Sequence, residues 1–306
     1  MNYYLGIDGG GSKTEFVLCD GKGNVLKKLI KGGSNPNDIG VDNCEKLLRD
    51  GVNEITGGGH QNLFIYAGIS GAGVGNNMEI IMNGLAPLCK KVEVQADLHG
   101  AMEYSLKDND GIMVVCGTGI SCALKQGETI KGVGGYGYLF EDGGSGYAYG
   151  RDAIKAVLHY EDGYGKNSTL VLAVKSKTKG DVRPHLAELL SRGKAYIASF
   201  APFVFDGYNK KDEVCVKIVN DNIAQTIALI ENAILVYGKR PCTLAFVGGI
   251  TKQAFFRKAI EEKFSDCKTI FSALAPVYGA AVKAVKLNEK IDENFENNFT
   301  RSYPDA

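Results

Sequence analysis

The stretch GIDGGGSKTEFVLCD, residues 6–20, most constrains how this chain folds, because a short apolar strand enters three consecutive glycines and a second apolar strand follows at once. The P-loop pattern G-x-x-x-x-G-K-[ST] is missed by one position, since Ser12 stands between Gly11 and Lys13, and the pattern G-x-G-x-x-G is absent as well. Both of those loops open a helix, whereas the segment here leaves room only for a strand before an Asp-Gly turn. The glycines are therefore predicted to form the turn of a β-hairpin.

The same pattern recurs in residues 111–133, GIMVVCGTGISCALKQGETIKGV, as strand, glycine turn, strand, turn and strand. An internal repeat of this kind, with β and α patterns alternating between the copies, predicts an α/β protein of two related domains that face one another. We place the boundary in residues 106–111, with an N-terminal domain at 1–109 and a C-terminal domain at 110–306. A C-terminal helix at about 278–290 is considered to pack back on the N-terminal domain.

Composition narrows the class of protein. The 306 residues carry 35 basic and 35 acidic side chains, and this neutral balance argues against a nucleic-acid or membrane-surface partner. No apolar run approaches the roughly 20 residues of a membrane span, and the first residues lack a secretory pattern. Eight cysteines without a CxxC pair, and only four histidines, indicate neither a zinc site nor a disulfide framework. We expect a cytoplasmic protein with reduced thiols.

The first glycine turn is a candidate phosphate site. Asp8 ends the first strand beside it, and a carboxylate at that place can hold Mg²⁺, which would bridge phosphates cradled by the turn. Gly10, Gly11 and Lys13 are the candidate phosphate contacts. The alternative is a turn aspartate without a ligand, since Asp-Gly is common in hairpins.

Two further glycine segments are candidate nucleotide contacts. In the second hairpin Thr118 offers a hydroxyl, and Gly117 and Gly119 offer backbone amides that a phosphate can approach; two such turns would form a clamp. Gly248 and Gly249 follow a strand and precede a helix, so that a flat ring can lie against the backbone. The alternatives are a tight glycine hairpin and an ordinary β–α turn.

Asp97 follows the strand KVEVQ and precedes a helix predicted to begin at Leu98. A carboxylate at the carboxyl end of a strand in an α/β sheet points into the crevice where ligands bind. There it can accept a proton from a substrate hydroxyl. The alternative is a helix N-cap without a catalytic role.

Two glycine-dense segments have the chemistry that a sugar needs. One offers the side-chain amides of Asn35 and Asn37, and the other, residues 132–150, offers the aromatic ring of Tyr136 and the carboxylate of Asp142. Amides and a carboxylate bind hydroxyls, and an aromatic face packs on sugar C–H groups. Turn chemistry is the alternative for the asparagines, whereas a loop as long as the second is usually functional or disordered.

Together these motifs resemble the N-acetylglucosamine kinase group of the BadF/BadG/BcrA/BcrD family, within the actin-like ATPase superfamily, over nearly the whole chain. GIDGGGSKT is similar to that family's first phosphate motif, CGTGISC to the second, and LAFVGGI to the adenosine motif. GGYGYLFEDGGSG resembles the stretch that contacts the amino sugar, and it is the most specific of the four. The resemblance implies two actin-like (ribonuclease H-like) domains with an ATP cleft between them.

The resemblance also assigns residues by position. It implies that Asp97 is the catalytic base and that Ser12 and Thr118 contact the nucleotide phosphates. The implied sugar contacts are Asn35, Gly135, Tyr136, Gly137 and Asp142. Three positions depart from the family pattern: Tyr136 stands where Trp is frequent, Ile120 where Ser is common, and Gly143 where Glu is common.

The function implied is that of an ATP- and Mg²⁺-dependent kinase acting on the 6-hydroxyl of an N-acetylated amino sugar, namely N-acetylglucosamine, with N-acetylmuramic acid as a second substrate. A homodimer is expected, because a dimer is usual in this family. One alternative is a glucosamine kinase, and another is an ATPase activator of a 2-hydroxyacyl-CoA dehydratase, with an iron cluster between subunits. Cys116 and Cys122 flank the second turn, where packing within strands is favoured over iron ligation. A non-catalytic sugar sensor, which would not need Asp97, is a third.

Overall fold

The computed structural model describes residues 1–11, 13–58, 62–107, 109–140, 143–272 and 274–303. The predicted contacts Ser12 and Asp142 lie outside the described residues. The chain divides into two compact units: a first unit of Met1–Asp108 and Ala273–Ala306, and a second unit of Asn109–Ser272.

Each unit is built on a five-stranded sheet of the same design. The strands are β1 (Tyr3–Gly9), β2 (Lys13–Cys19), β3 (Val25–Gly32), β4 (Leu63–Ile69), β5 (Lys91–Gln95), β6 (Gly111–Cys116), β7 (Ile120–Gln126), β8 (Thr129–Val133), β9 (Thr243–Val247) and β10 (Lys268–Phe271). The first sheet has the order β3-β2-β1-β4-β5 and the second the order β10-β9-β6-β7-β8. In both, three antiparallel strands joined by the glycine turn are followed by two parallel strands. The predicted repeat is confirmed.

Helices connect and cover the strands. They are α1 (Pro36–Ile39), α2 (Val41–Thr56), α3 (Asn77–Leu85), α4 (Asp97–Ser105), α5 (Gly146–Glu161), α6 (Thr169–Thr178), α7 (Leu186–Ser191), α8 (Gly193–Ala198), α9 (Ala201–Asn209), α10 (Glu213–Tyr237), α11 (Ala254–Lys263), α12 (Val277–Lys286) and α13 (Phe295–Ser302). Short 3₁₀ turns lie at Ala86–Leu88, Arg183–His185 and Ile250–Lys252. Among the described helices, none is long and apolar enough to cross a membrane. The predicted α/β fold class is confirmed.

In the first unit, α2 buries Leu48, Val52 and Ile55 in a core with the strand side chains, as expected from their helical spacing. From the C-terminal part of the chain, α12 packs on β1 and α4. The compact units therefore differ from the predicted domains, which assigned 110–306 to one domain and considered a return of the helix near 278–290 alone. The reason is that α12 buries nearly every side chain, and it does so against the first sheet, α4 and the aromatic rings of α13.

In the second unit, the apolar side chains of residues 213–238 recur at helical spacing, and this segment forms α10. The side chain of Asp212 accepts hydrogen bonds from two backbone N–H groups at its first turn, and Gly238 ends it in a left-handed conformation. Residues 132–150 were expected to form one long loop. The loop ends earlier, because α5 begins at Gly146. Ser145 caps that helix, and Ala148 and Tyr149 are buried in the core.

Candidate active site

The first glycine turn joins β1 to β2 without a helix, as predicted. The N–H of Gly10 donates to the carbonyl of Lys13 over 2.9 Å and closes the hairpin. Asp8 and Glu15 are paired across the two strands, so their side chains lie on the same face of the sheet. The turn therefore has two carboxyl groups directly behind it.

Asp8 has the electrostatics of a cation ligand. Burial first, and then the negative charges of Asp97 and Glu15, raise the pKa of Asp8 to about 7, although the positive charge of Lys13 opposes the rise. A carboxylate close to other carboxylates is stabilised by a divalent cation, and oxygen is the ligand atom that Mg²⁺ prefers. The donor chemistry around Asp8 thus fits the predicted magnesium ion.

Asp97 is the first residue of α4, where β5 ends. Its Oδ1 accepts a hydrogen bond of 2.9 Å from the N–H of Leu98, and the Ser70 side chain also bonds to it. Burial raises the pKa of Asp97, and these hydrogen bonds work in the opposite direction. The N-cap position is occupied by Ala96, and Asp97 is already inside the helix. The side chain of Asp97 is therefore not the N-cap that was considered as the alternative.

Asn35 and Asn37 lie at the carboxyl end of β4. A side chain placed on Gly71, just beyond that strand, would meet Oδ1 of Asn35 at 2.3 Å and Nδ2 of Asn37 at 2.7 Å. Oδ1 of Asn35 accepts from the N–H of Asn37 over 2.9 Å and caps α1, so the turn chemistry considered as the alternative is present at this oxygen. The amide nitrogen of Asn35 is not part of that cap.

Backbone hydrogen bonds tie these segments to the glycine turn. The carbonyl of Gly9 accepts from the N–H of Ser70 over 2.8 Å, and the carbonyl of Gly10 accepts from the N–H of Ser34 over 3.0 Å. The first unit therefore brings Asp8, the glycine turn, the asparagines and Asp97 to one edge of its sheet. Glu15 was not predicted from the motifs, although a charged residue inside the apolar strand TEFVLC is a recognisable signal.

The second glycine turn contacts the N-terminus of a long helix. The N–H of Gly117 donates to the carbonyl of Gly119 over 2.9 Å. At the start of α5, the N–H of Gly146 donates to the carbonyl of Gly117 over 2.7 Å and the N–H of Tyr147 to that of Thr118 over 3.1 Å. Since a helix N-terminus favours nearby negative charge, this arrangement suits a phosphate at the turn.

A cavity of about 500 Å³ lies next to that turn. Of the predicted contacts, Gly117, Thr118 and Gly249 line it. Its other walls were not predicted: they include Phe205 and Asp206 of α9, and no motif in the sequence marks that helix. A volume of this size lies within the range of small-ligand pockets.

Gly248 does not line that cavity but determines how close two strand ends approach. Its φ is +109°, and a Cβ there would meet the carbonyl oxygen of Cys116 at 2.4 Å. A residue with a side chain would therefore push the end of β9 away from the second glycine turn. The glycine pair at 248–249 thus serves packing at its first position and the cavity at its second.

The predicted sugar loop exposes aromatic side chains. Gly135 and Gly137 have φ values of +75° and +94°, and Tyr136 between them is 69% exposed. Tyr138 packs on Tyr147 of α5 with ring centroids 4.9 Å apart. Beyond residues 141–142, the loop is tied to α10, because the N–H of Gly144 donates to Oδ1 of Asn222 over 2.9 Å.

Two related sheets, each with a glycine turn between antiparallel strands, are typical of actin-like ATPases. The chain belongs to the BadF/BadG/BcrA/BcrD ATPase family, whose model matches residues 5–284. This confirms the family and the use of ATP that the motifs implied.

Three curated relatives align with most of the chain. An N-acetylmuramic acid/N-acetylglucosamine kinase of Clostridium acetobutylicum is 28% identical over 93% of this chain and 98% of the relative. An N-acetyl-D-glucosamine kinase of Dictyostelium discoideum is 24% identical over 94% and 98%. A glucosamine kinase of Vibrio cholerae is 24% identical over 73% and 78%.

Solved structures with the same fold include a Chromobacterium violaceum protein proposed to be an N-acetylglucosamine kinase. The TM-score is 0.76 at 20% identity, with 93% of this chain and 99% of the other covered. A ROK family glucokinase from Streptomyces griseus, in complex with glucose and AMPPNP, has a TM-score of 0.57 at 15% identity, with 94% and 99% covered. The predicted enzyme class, a kinase, is confirmed by these comparisons together.

Proposed function

We propose that this kinase transfers the γ-phosphoryl group of ATP to the 6-hydroxyl of an N-acetylated amino sugar, with N-acetylglucosamine as substrate and N-acetylmuramic acid as a second one. The names of the Clostridium and Dictyostelium relatives support the substrate class, since both proteins align along nearly their whole length. The specificity of the glycine-rich sugar motif supports it further.

The placement of Asp97 carries the proposal. This carboxyl group is half-buried at the carboxyl end of β5, and the hydrogen bonds to it come from the neutral donors Leu98 N–H and Ser70. A partly desolvated carboxylate without a cationic partner is a better proton acceptor than one in a salt bridge, because burial raises its pKa. A base of this kind is what a sugar hydroxyl needs in order to attack a phosphate.

In the proposed reaction, Asp97 orients the 6-hydroxyl and accepts its proton as the bond from oxygen to the γ-phosphorus forms. The bond between the γ-phosphorus and the bridging oxygen breaks, and ADP leaves with that oxygen. The backbone N–H groups at the two glycine turns stabilise the negative charge of the transferred group. Asp8 would hold Mg²⁺, which neutralises phosphate charge when it is bound.

The proposed contacts follow the motifs. On the nucleotide we place the phosphates at Gly10, Gly11, Ser12, Lys13, Gly117, Thr118 and Gly119, and the adenosine at Gly248 and Gly249. The cavity of the second unit supports the adenosine position at Gly249, because its walls combine glycine backbone with the ring of Phe205. On the sugar we place Asn35, Asn37, Gly135, Tyr136, Gly137 and Asp142.

A coupled ADP-release assay over N-acetylglucosamine, N-acetylmuramic acid, glucosamine and glucose tests the proposal. We expect turnover with the two N-acetylated sugars, and a product whose phosphorus couples to the C6 protons in NMR spectra. Phosphate on another oxygen, or the highest kcat/KM for glucose, would contradict it.

A glucosamine kinase is the second candidate, favoured by the alignment with the Vibrio protein and by Gly143, which stands where the N-acetylglucosamine kinases commonly have Glu. The same assay separates the two, since this enzyme would prefer the sugar with a free amine. An activator with a cluster between two copies needs surface cysteines near the turn. Cys116 and Cys122 instead are buried in β6 and β7.

A further inference from the structure

Glu15 is a buried carboxyl group in β2, directly behind the first glycine turn. Its side chain is 4% exposed, and it is paired with Asp8 across the hairpin. A charge in such a place destabilises a protein unless it is paired and hydrogen-bonded. The residues that pair with the Glu15 carboxylate therefore show how it is stabilised and oriented.

One oxygen of Glu15 is held by the neighbouring strand β3 and by the C-terminal part of the chain. Oε1 lies 3.3 Å from Nζ of Lys28 in β3 and accepts a hydrogen bond from the hydroxyl of Tyr303. Tyr303 follows α13, stacks on Phe299 with centroids 5.3 Å apart, and lies under the ammonium group of Lys28 at 4.2 Å from its ring centre. Two residues from other parts of the chain, Lys28 and Tyr303, thus fix this oxygen.

The other oxygen faces the turn. Oε2 lies 3.3 Å from Nζ of Lys13, the residue that closes the glycine turn and begins β2. The Lys13 side chain is 62% exposed, whereas that of Lys28 is 11% exposed. Lys28 alone already neutralises Glu15, so the ammonium group of Lys13 has further hydrogen-bonding capacity that faces solvent at the turn.

We propose that Glu15 is a positioning residue: it holds the Lys13 ammonium group at the first glycine turn, where Lys13 binds a nucleotide phosphate, while Lys28 and Tyr303 fix the orientation of Glu15. This inference rests on the proposed function, because it takes the turn as the phosphate site. It assigns a role to two residues, Glu15 and Tyr303, that no motif marks. A lysine on a flexible stem binds a phosphate more tightly when its position is fixed beforehand.

The test is a double-mutant cycle of Lys13→Met and Glu15→Gln, read as the affinity for ribose-labelled fluorescent ATP and as the KM values for ATP and N-acetylglucosamine. We expect Lys13→Met to weaken ATP binding about tenfold or more, the usual loss for one charged hydrogen bond. Glu15→Gln should weaken it about threefold or more alone and not at all in the Lys13→Met background, because it acts through Lys13. The KM for the sugar should stay the same in all of them.

Two further variants keep the result interpretable. Tyr303→Phe removes only the hydroxyl group, so it should weaken ATP binding less than Glu15→Gln does. In a protein that already carries Lys13→Met, Tyr303→Phe should cause no further loss. Should Glu15→Gln not fold, the Tyr303→Phe cycle decides. The control is Lys31→Met with Glu54→Gln, a surface pair 2.7 Å apart in the same unit, which should leave ATP binding unchanged.

A Glu15→Gln protein that melts at lower temperature but binds ATP normally would overturn the proposal, since Glu15 would then serve stability alone. Equal losses with and without Lys13 would overturn it as well. Because ATP affinity is measured without sugar, a protein that shows the expected cycle but phosphorylates none of the sugars would contradict only the proposed function.

Discussion

In the first unit the strand before the glycine turn ends in Asp8-Gly9, whereas in the second unit the matching strand ends in Val114-Val115-Cys116. The first turn has Glu15 and Asp97 near it, and their charges act on Asp8. The second turn has the N-terminus of α5 and an open cavity beside it. The two sheets have the same strand order, yet the groups around their turns differ in charge and in shape.

The repeat therefore reproduces the backbone of the hairpin turn, whereas the side chains around the two turns differ. The first turn has the carboxyl groups of Asp8, Glu15 and Asp97 near one another, which we propose for a metal ion and a proton, whereas the second turn borders a cavity with the ring of Phe205 in its wall, which we propose for the nucleotide. Loss of the Asp97 carboxylate near the first turn should therefore impair the chemical step, whereas changes at Lys13 of that turn and at the cavity of the second unit should impair nucleotide binding.

The largest effect is expected at Asp97. Asp97→Asn retains an oxygen that can accept from the N–H of Leu98, so stability and ATP binding should stay close to those of the wild type. It removes the proton acceptor, and kcat should fall roughly 10²- to 10⁴-fold, the usual contribution of a general base. Steady-state kinetics beside thermal melts check this. Turnover within a few-fold of the wild type would mean that the base lies elsewhere.

An intermediate effect is expected in the second unit from Gly249→Val. Gly249 has φ −66°, and no atom lies within 4 Å of a Cβ built there, so the side chain should be tolerated without backbone strain and extend into open space at the cavity wall. We expect the KM for ATP to rise about tenfold to a hundredfold, since overpacking costs roughly 1–3 kcal/mol, and the KM for sugar to stay unchanged.

Gly132→Val is the matched control for that variant. Gly132 lies in β8 of the same unit with equally open surroundings and does not line the cavity. It should leave both KM values unchanged. If both valine variants raised the KM for ATP alike, the cavity would not be the nucleotide site.

The smallest effect concerns stability at Asp8. Because the folded state raises the pKa of Asp8 from 3.8 to about 7, its protonated form stabilises the fold below pH 3.8, and this contribution is lost as the pH rises to 7. Asp8→Asn resembles the protonated form. Without Mg²⁺ it should therefore raise the melting temperature by a few degrees at pH 8, about 2–4 °C per kcal/mol, and by less at pH 5.

Adding Mg²⁺ should reduce the difference in melting temperature between Asp8→Asn and the wild type. The ion stabilises the ionised carboxylate of the wild type, whereas the variant lacks that carboxylate. The same gain in melting temperature at both pH values would contradict the electrostatic account of Asp8. Calorimetry with and without the ion distinguishes these outcomes.

Several elements could be predicted because their signals are local. Glycine runs between apolar strands indicate hairpin turns, and both hairpins lie where they were expected. The apolar spacing of 213–238 indicates a helix in the same way, and α10 forms there. The motifs also indicated the family, which the match over 5–284 confirms. By contrast, the start of α5 inside an apparent loop depended on burial of Ala148 and Tyr149, which no local pattern shows.

The repeated hairpins, the family and the residues of its motifs could be predicted from the sequence, because each of these depends on neighbours a few positions apart. Packing between distant parts of the chain places α12 in the first unit, α9 in a cavity wall beside Gly249, and Tyr303 against Glu15 across 288 positions. Contacts of that kind depend on how packed surfaces fit one another. A residue such as Tyr303 therefore has no recognisable pattern in its own neighbourhood.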